Sequence, residues 1–252
     1  MHVAIPFLSN IDGLSVLLTL LQMQTQTPDK VIVIDNSKDG RARCICRKYR
    51  YSVPIDYIPL KKSIYHSWNY AIRLSPKKDI IYLNDDVIIP TNFIEMMKNA
   101  MRKKEALSFV PDGPPIDHRV QTIETNKPHF LKSVKHSVRN NPLLVPTRWL
   151  KGYCFMLPKK TIKRIGLFDT RFTLWYGDSD YQERILAYTS KRQMMSICKI
   201  SNLYVYHYGS NSFSLQDCAH IIAKDKQIFD RKYGSGASDA VLKNILDNKH
   251  VY

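Results

Sequence analysis

The strongest constraint on this chain is an alternation. Short, largely apolar runs recur along its N-terminal part, and each is followed by a turn signal and then by apolar residues at helical spacing. Residues 2–7, 31–34, 55–60 and 79–83 read as buried strands, and 14–24, 41–51 and 63–74 as helices. Pro90 and Thr91 lead into a further helix, with Asn92 and Glu95 at capping-box spacing, and 106–110 forms one more strand. Strands alternating with helices in this way predict an α/β domain with a mostly parallel sheet covered by helices on both faces.

After residue 110 the pattern fails. Six of the 13 prolines lie in 111–146, which shows little periodicity. So long a stretch without regular pattern reads either as a lid or as a solvated insertion. Pattern resumes at 151–157 and continues through a short helix ending near Ile165, with Gly166 as its cap. A helix at 179–188, a strand at 197–206 and helices at 215–232 and 237–248 follow. The expected divisions are therefore 1–110, 111–148, 149–212 and 213–252.

No apolar run reaches the ~18–20 residues that span a bilayer. The start of the chain has no basic, apolar and small-residue leader, so the expected compartment is the cytoplasm. Five scattered cysteines, Cys44, Cys46, Cys154, Cys198 and Cys218, offer no zinc spacing and are expected to be free, buried thiols. The net charge of +16 favours an anionic partner without choosing among nucleic acid, a membrane surface and a phosphorylated small molecule. Of the 22 acids 18 are Asp, the residue of caps, turns and metal sites, so their placement carries more information than the excess of bases.

Ligands of open α/β sheets bind beyond the carboxyl ends of the strands. Asp35 stands at one such end and Asn84-Asp85-Asp86 at another. Asp35 alone could be a turn-former, but two adjacent acids exceed what a turn needs. The pair points to a hard divalent cation, Mg2+ or Mn2+, held by carboxylates together with substrate phosphates. Downstream, Trp175 precedes Gly177-Asp178-Ser179-Asp180. A helix cap needs only one of Asp178 and Asp180, which leaves the other for chemistry. His207 follows a strand and precedes Gly209-Ser210; it is either a satisfied hydrogen-bonder or a ligand.

Together these pieces resemble an inverting family 2 glycosyltransferase of the GT-A fold, from residue 2 to about Gly234. The motifs that carry the likeness are Val3-Ala4-Ile5-Pro6-Phe7, Val31 through Asp35-Asn36-Ser37, and Tyr82-Leu83-Asn84-Asp85-Asp86-Val87. Gly166-Leu167-Phe168-Asp169, Gly177-Asp178-Ser179-Asp180 with Arg184, His207 before Gly209, and 229–234 complete the set. The likeness implies a nucleotide-sugar-binding half (1–110), a loop or lid insertion (111–148), an acceptor-binding and catalytic half (149–212) and C-terminal helices (213–252).

It also implies site residues. Pro6, Phe7, Ser9 and Asp35 would contact the nucleotide, and Asn84 and Asp85 belong to the family's Asp-x-Asp element. Asp86 would bind Mn2+ or Mg2+, with His207 completing that site. Gly152 would admit the donor sugar, and Trp175 and Asp180 would line the substrate site. Asp178 would be the catalytic base, with Asp180 its competitor. Two departures stand out: Asn84 replaces the first acid of the element, and Gly177 replaces the acid that usually precedes the base.

The implied reaction moves a sugar, hexosyl or deoxyhexosyl, from a nucleotide-diphosphate donor to an acceptor hydroxyl by metal-assisted inverting displacement. The acceptor would be a saccharide, a lipid-linked molecule or a protein. Basic clusters at Arg41, Arg43, Arg47, Lys48 and Arg50, at 102–104 and at 159–164 are either solvated helix faces or a contact with anionic membrane. Lys132, Lys135, His136 and Arg139 in the lid segment would fold over donor phosphates or stay solvated. Two other readings compete. A sugar nucleotidyltransferase would want a Gly-rich phosphate loop, which Ser9 to Gly13 does not provide. A nucleic-acid-binding protein on a degenerate, inactive transferase fold fits the charge, but no recognised nucleic-acid motif occurs.

Overall fold

Each apolar run of the N-terminal part becomes a strand: β1 (His2–Phe7), β2 (Lys30–Asp35), β3 (Ile55–Pro59) and β4 (Ile80–Leu83). The computed structural model describes residues 1–37, 39–113, 140–192, 194–207 and 218–247. The four strands run parallel in the order β3-β2-β1-β4, joined through α1 (Ile11–Gln22), α2 (Ala42–Tyr49) and α3 (Ile64–Leu74). Their register sets Phe7 beside Asp35 and Asp35 beside Pro59, which brings these carboxyl ends to one edge of the sheet.

Period-two alternation divides the strand side chains between two core layers. Val3, Ile5, Phe7, Val31 and Val33 pack with Leu14, Leu17 and Leu21 of α1, whereas Ala4, Ile32 and Ile34 pack with Trp68 and Ile72 of α3. The second layer is rich in rings. Trp68, Tyr82, Phe155, Phe168 and Tyr181 stack or meet edge to face with centroids 4.2–6.1 Å apart.

The rest of the chain extends the same sheet in mixed fashion. After β5 (Val87–Ile88) and α4 (Phe93–Lys103) come β6 (Ala106–Asp112), β7 (Leu144–Thr147) and β8 (Cys154–Leu157). Next are α5 (Lys159–Ile165), α6 (Gly177–Thr189), β9 (Met195–Tyr204), β10 (Tyr206–His207), α7 (Ala219–Tyr233) and α8 (Ala237–Asp247). The eight-stranded order is β3-β2-β1-β4-β8-β6-β9-β7. β8 lies antiparallel between β4 and β6, β6 pairs parallel with β9, and β7 closes the edge antiparallel. A separate two-strand ribbon pairs β10 with β5.

Several expectations change here. The patternless stretch contains the end of β6 and most of β7; residues 114–139, with the four basic residues read as covering the donor or staying solvated, lie outside the described residues. The expected strand at 197–206 is β9 followed by the separate β10. Asn92 makes no capping bond to α4, and the Glu95 carboxylate accepts from Thr25 Oγ1 at 2.7 Å instead. The Ile94 amide is satisfied by Gln24 Oε1 at 3.0 Å, so the cap comes from beyond α1. All five cysteines are free; four are buried, and Cys44 is exposed. Among the described residues no helix is long and apolar enough to cross a membrane.

Candidate active site

The β10–β5 ribbon places the metal-ligand candidates. Its register sets His207 opposite Val87, the residue after Asp86, and His207 Nε2 lies 3.2 Å from Asp86 Oδ1. Asp86 is buried, and its Oδ1 has no aligned hydrogen bond despite that neighbour. Asp85 Oδ2 is likewise buried without a partner. Burial and the adjacent Asp86 charge hold the Asp85 carboxyl well above the usual carboxylate range. Orphaned buried acceptors of this kind are costly unless something enters to meet them. An unaligned carboxylate oxygen facing an imidazole nitrogen is a donor set a divalent cation would fit. Among the described residues no group of three or more His, Cys, Asp or Glu gathers for a metal.

Tyr153 braces this pair. Its ring stacks on His207 at 4.4 Å and 9°, and its hydroxyl donates to the Gly113 carbonyl at 2.9 Å. Lys151 Nζ donates to the same carbonyl at 2.5 Å, and burial pulls the Lys151 ammonium down to about 8. The Tyr153 carbonyl in turn accepts the Asn84 amide at 2.9 Å, tying 151–153 to the acidic strand end.

Gly152, between Lys151 and Tyr153, joins this cluster to the candidate base. A Cβ at Gly152 would collide with the Asp178 carboxylate, so the space left by the missing side chain is filled by Asp178 itself. Gly152 was expected to make room for the donor sugar; its immediate neighbour is the carboxylate. Asp178 Oδ1 accepts from the Ser179 amide at 2.9 Å, and burial raises the carboxyl above its ordinary value.

The replacement of an acid by Gly177 also acquires a reason. The Tyr65 ring of α3 stands where a side chain on Gly177 would be. Its hydroxyl accepts from the Gly177 amide at 2.9 Å and donates to the Leu174 carbonyl at 3.0 Å. Asp225 of α7 fastens the same loop, taking the amides of Thr173, Leu174 and Trp175 at 2.8–3.0 Å.

Asp180 is placed differently. It is fully buried and bound by Lys232, by Arg184 Nε at 3.0 Å and by the Tyr233 hydroxyl at 2.8 Å. Its carboxylate is consumed in tying α6 to α7. On the nucleotide side, Asp35 is buried and fills the turn-forming role, accepting from the Ser37 amide at 2.8 Å and the Tyr57 hydroxyl at 2.7 Å. Pro6 and Phe7 are buried, and the Phe7 ring belongs to the core beneath α1, so only its backbone reaches the sheet edge. Ser9, Asn84 and Trp175 are half-buried.

Sequence reasoning missed Tyr65, Lys151, Tyr153 and Asp225. The aromatic residues carry no motif, and the two charged ones sit in segments read only for periodicity.

The architecture is that of the GT-A glycosyltransferase fold. The chain belongs to the family described as Glycosyl transferase family 2, whose sequence model matches residues 2–166. No curated protein sequence matches. Among solved structures, TarS of S. aureus aligns over 100% of this chain and 43% of its own, at 14% identity and a TM-score of 0.58. Its 1–349 form aligns over 89% of this chain and 64% of its own. In complex with UDP the identity is 15% and the TM-score 0.58; without it, 16% and 0.57. The chain therefore spans less than two thirds of these TarS structures, and the likeness is one of fold.

Proposed function

We propose that this protein transfers a sugar from a nucleotide-diphosphate donor to an acceptor hydroxyl by a single inverting displacement. The observation that carries the reading is the continuous set of contacts from Asp86 and His207, through Tyr153 and Gly152, to Asp178. It brings a cation-ready carboxylate and a carboxyl of raised affinity for protons into one site.

Asp178 accepts the proton of the acceptor hydroxyl as its oxygen attacks the anomeric carbon, and the bond to the donor diphosphate breaks on the opposite face. Burial suits Asp178 to this role, because a base works best when its pKa approaches the operating pH. Asp180 is left out of the proton transfer, since its three partners hold it inside the fold. Asp35 and the backbone beyond β1 receive the base and ribose. Asp86 and His207 would hold Mn2+ or Mg2+, which would supply neutralisation of the charge developing on the leaving diphosphate. The TarS complex with UDP supports a uridine nucleotide as the first donor to test. The acceptor is a saccharide, a lipid-linked molecule or a protein, and the exposed Arg43, Arg47, Lys48 and Arg50 on and beside α2 suit peripheral contact with anionic lipid at the cytoplasmic face.

A thermal-shift panel of UDP, GDP, dTDP and CMP, each with Mn2+, Mg2+ or EDTA, tests the donor site. At about a hundredfold excess over Kd the right nucleotide adds roughly 2.7 kcal/mol of apparent stability. The expected result is a metal-dependent rise with one nucleoside diphosphate that Asp86→Ala removes. A flat panel, with a salt-sensitive shift from DNA or RNA alone, would overturn the reading.

A further inference from the structure

Residues of α3 and α7 line a cleft of about 590 Å3 that also includes the 170–173 loop. Four cations line it, Arg171 from the loop and Lys224, Arg231 and Lys232 from α7, together with His66 of α3 and Ser63 at the N-cap of α3. That size is within the ~300–1,000 Å3 of small-ligand sites.

Internal pairing neutralises only part of this charge. Arg171 forks onto Asp169 with contacts of 2.6–3.2 Å, and Lys232 reaches Asp180 and, at 3.2 Å, Asp169. Arg231 Nε donates only to the Gln227 carbonyl, at 3.2 Å. Among the described residues neither Lys224 nor Arg231 has a carboxylate partner within ion-pair distance. Ser63, which also lines the cleft, makes no capping bond to α3; its hydroxyl meets His66 Nδ1 at 2.8 Å. Two long cations lining one open cleft without a carboxylate counter-charge favour an oxyanion over a neutral ligand.

The position of the cleft relates it to the chemistry. Thr173 lines it, and the Thr173 amide is the first of three gripped by Asp225 in the loop that leads to Asp178. Tyr65, next to His66, touches Leu174 and Gly177 in the same loop. His207 belongs instead to the β5–β10 ribbon, and Asp86 immediately precedes β5.

We propose that this cleft is an anion site for a phosphate group carried by the acceptor, separate from the place where the donor diphosphate binds. Its assignment to the acceptor rests on the transfer reaction proposed above; its existence as an anion site does not. Bound phosphate would fix the acceptor beside the loop that presents Asp178.

The test is calorimetric titration of the whole chain with inorganic pyrophosphate in EDTA, alongside UDP with Mn2+. Wild type is expected to bind pyrophosphate without metal, more weakly as salt rises. Lys224→Ala with Arg231→Ala, both exposed positions, should weaken that binding at least tenfold and leave UDP–Mn2+ binding unchanged. Asp86→Ala should do the reverse, so failure of the donor reading and failure of the cleft are distinguishable. Competition by soluble glycerol phosphate would identify a water-soluble phosphorylated acceptor, and competition by phosphatidic acid vesicles alone a lipid phosphate; either upholds the proposal. Wild type that does not bind pyrophosphate in EDTA, or a double variant that binds it undiminished, would overturn it.

Discussion

Asp178 and Asp180 start the same helix two residues apart, yet they sit in opposite surroundings. Asp180 is closed in by Lys232, Arg184 and Tyr233, all from α6 and α7. Asp178 faces the bare backbone of Gly152, holds one amide and has no cation within ion-pair distance among the described residues. The same split separates Asp225, which holds three amides, from Asp85 and Asp86, each of which leaves an oxygen unmet. A carboxylate saturated by the fold serves architecture; one that burial has stripped of partners remains open to a proton or a cation.

The sharpest break of this comparison is to neutralise each acid in turn. Asp178→Asn should lower the transfer rate by roughly 10^2–10^4-fold, the usual contribution of a positioned base, with UDP–Mn2+ affinity intact. The sign of its stability effect follows from linkage. Because the folded pKa is raised, ionisation costs stability above that pKa, and the cost is absent below the unfolded value near 4. Asp178→Asn should therefore melt higher than wild type at pH 7 and lose that advantage below about pH 4. For the wild type, kcat/KM should fall as pH drops through an apparent pKa above the ordinary Asp value. Asp180→Asn should do the converse, losing about 3 kcal/mol of stability, or roughly 6–12 °C in Tm, because it breaks a buried ionic cluster. Equal rate losses in the two variants would dissolve the distinction.

Gly152→Ala sharpens it from the other side. The new methyl would push against the Asp178 carboxylate, and misplacing a reacting group by about 1 Å can cost roughly 10^2-fold in rate. Steady-state kinetics should show kcat falling with donor KM little changed; an unaltered kcat would mean that the carboxylate works from another position. The smallest effect is expected at Tyr57→Phe. It removes one hydrogen bond to Asp35, worth about 1 kcal/mol, and so should weaken UDP binding about fivefold in a direct titration.

These contrasts also mark how far the sequence could be read. β1 to β4 and their helices follow from local pattern, because buried strands such as 31–34 are apolar throughout and end in turn-forming residues. β7 was hidden because Pro146 and a largely solvent-facing profile suit an edge strand, where a missing amide is tolerated. The two-residue strands β5 and β10 have no period to detect, although they bring His207 to Asp86. The Asp-rich motifs singled out the acids from the sequence, but spacing alone could not separate Asp178 from Asp180. That difference comes from Lys232 and Tyr233, more than fifty residues further along.

The grip of Asp225 on residues 173–175 has a consequence for how such a molecule can be recombined. The family match ends at residue 166, while the loop before Asp178 is buttoned to α7 near the other end of the chain. In a chimera with a relative, the stretch from residue 150 through α7 should travel as one cassette. Grafting the loop that leads to Asp178 without the helix that buttons it would transplant the proposed base in the wrong posture.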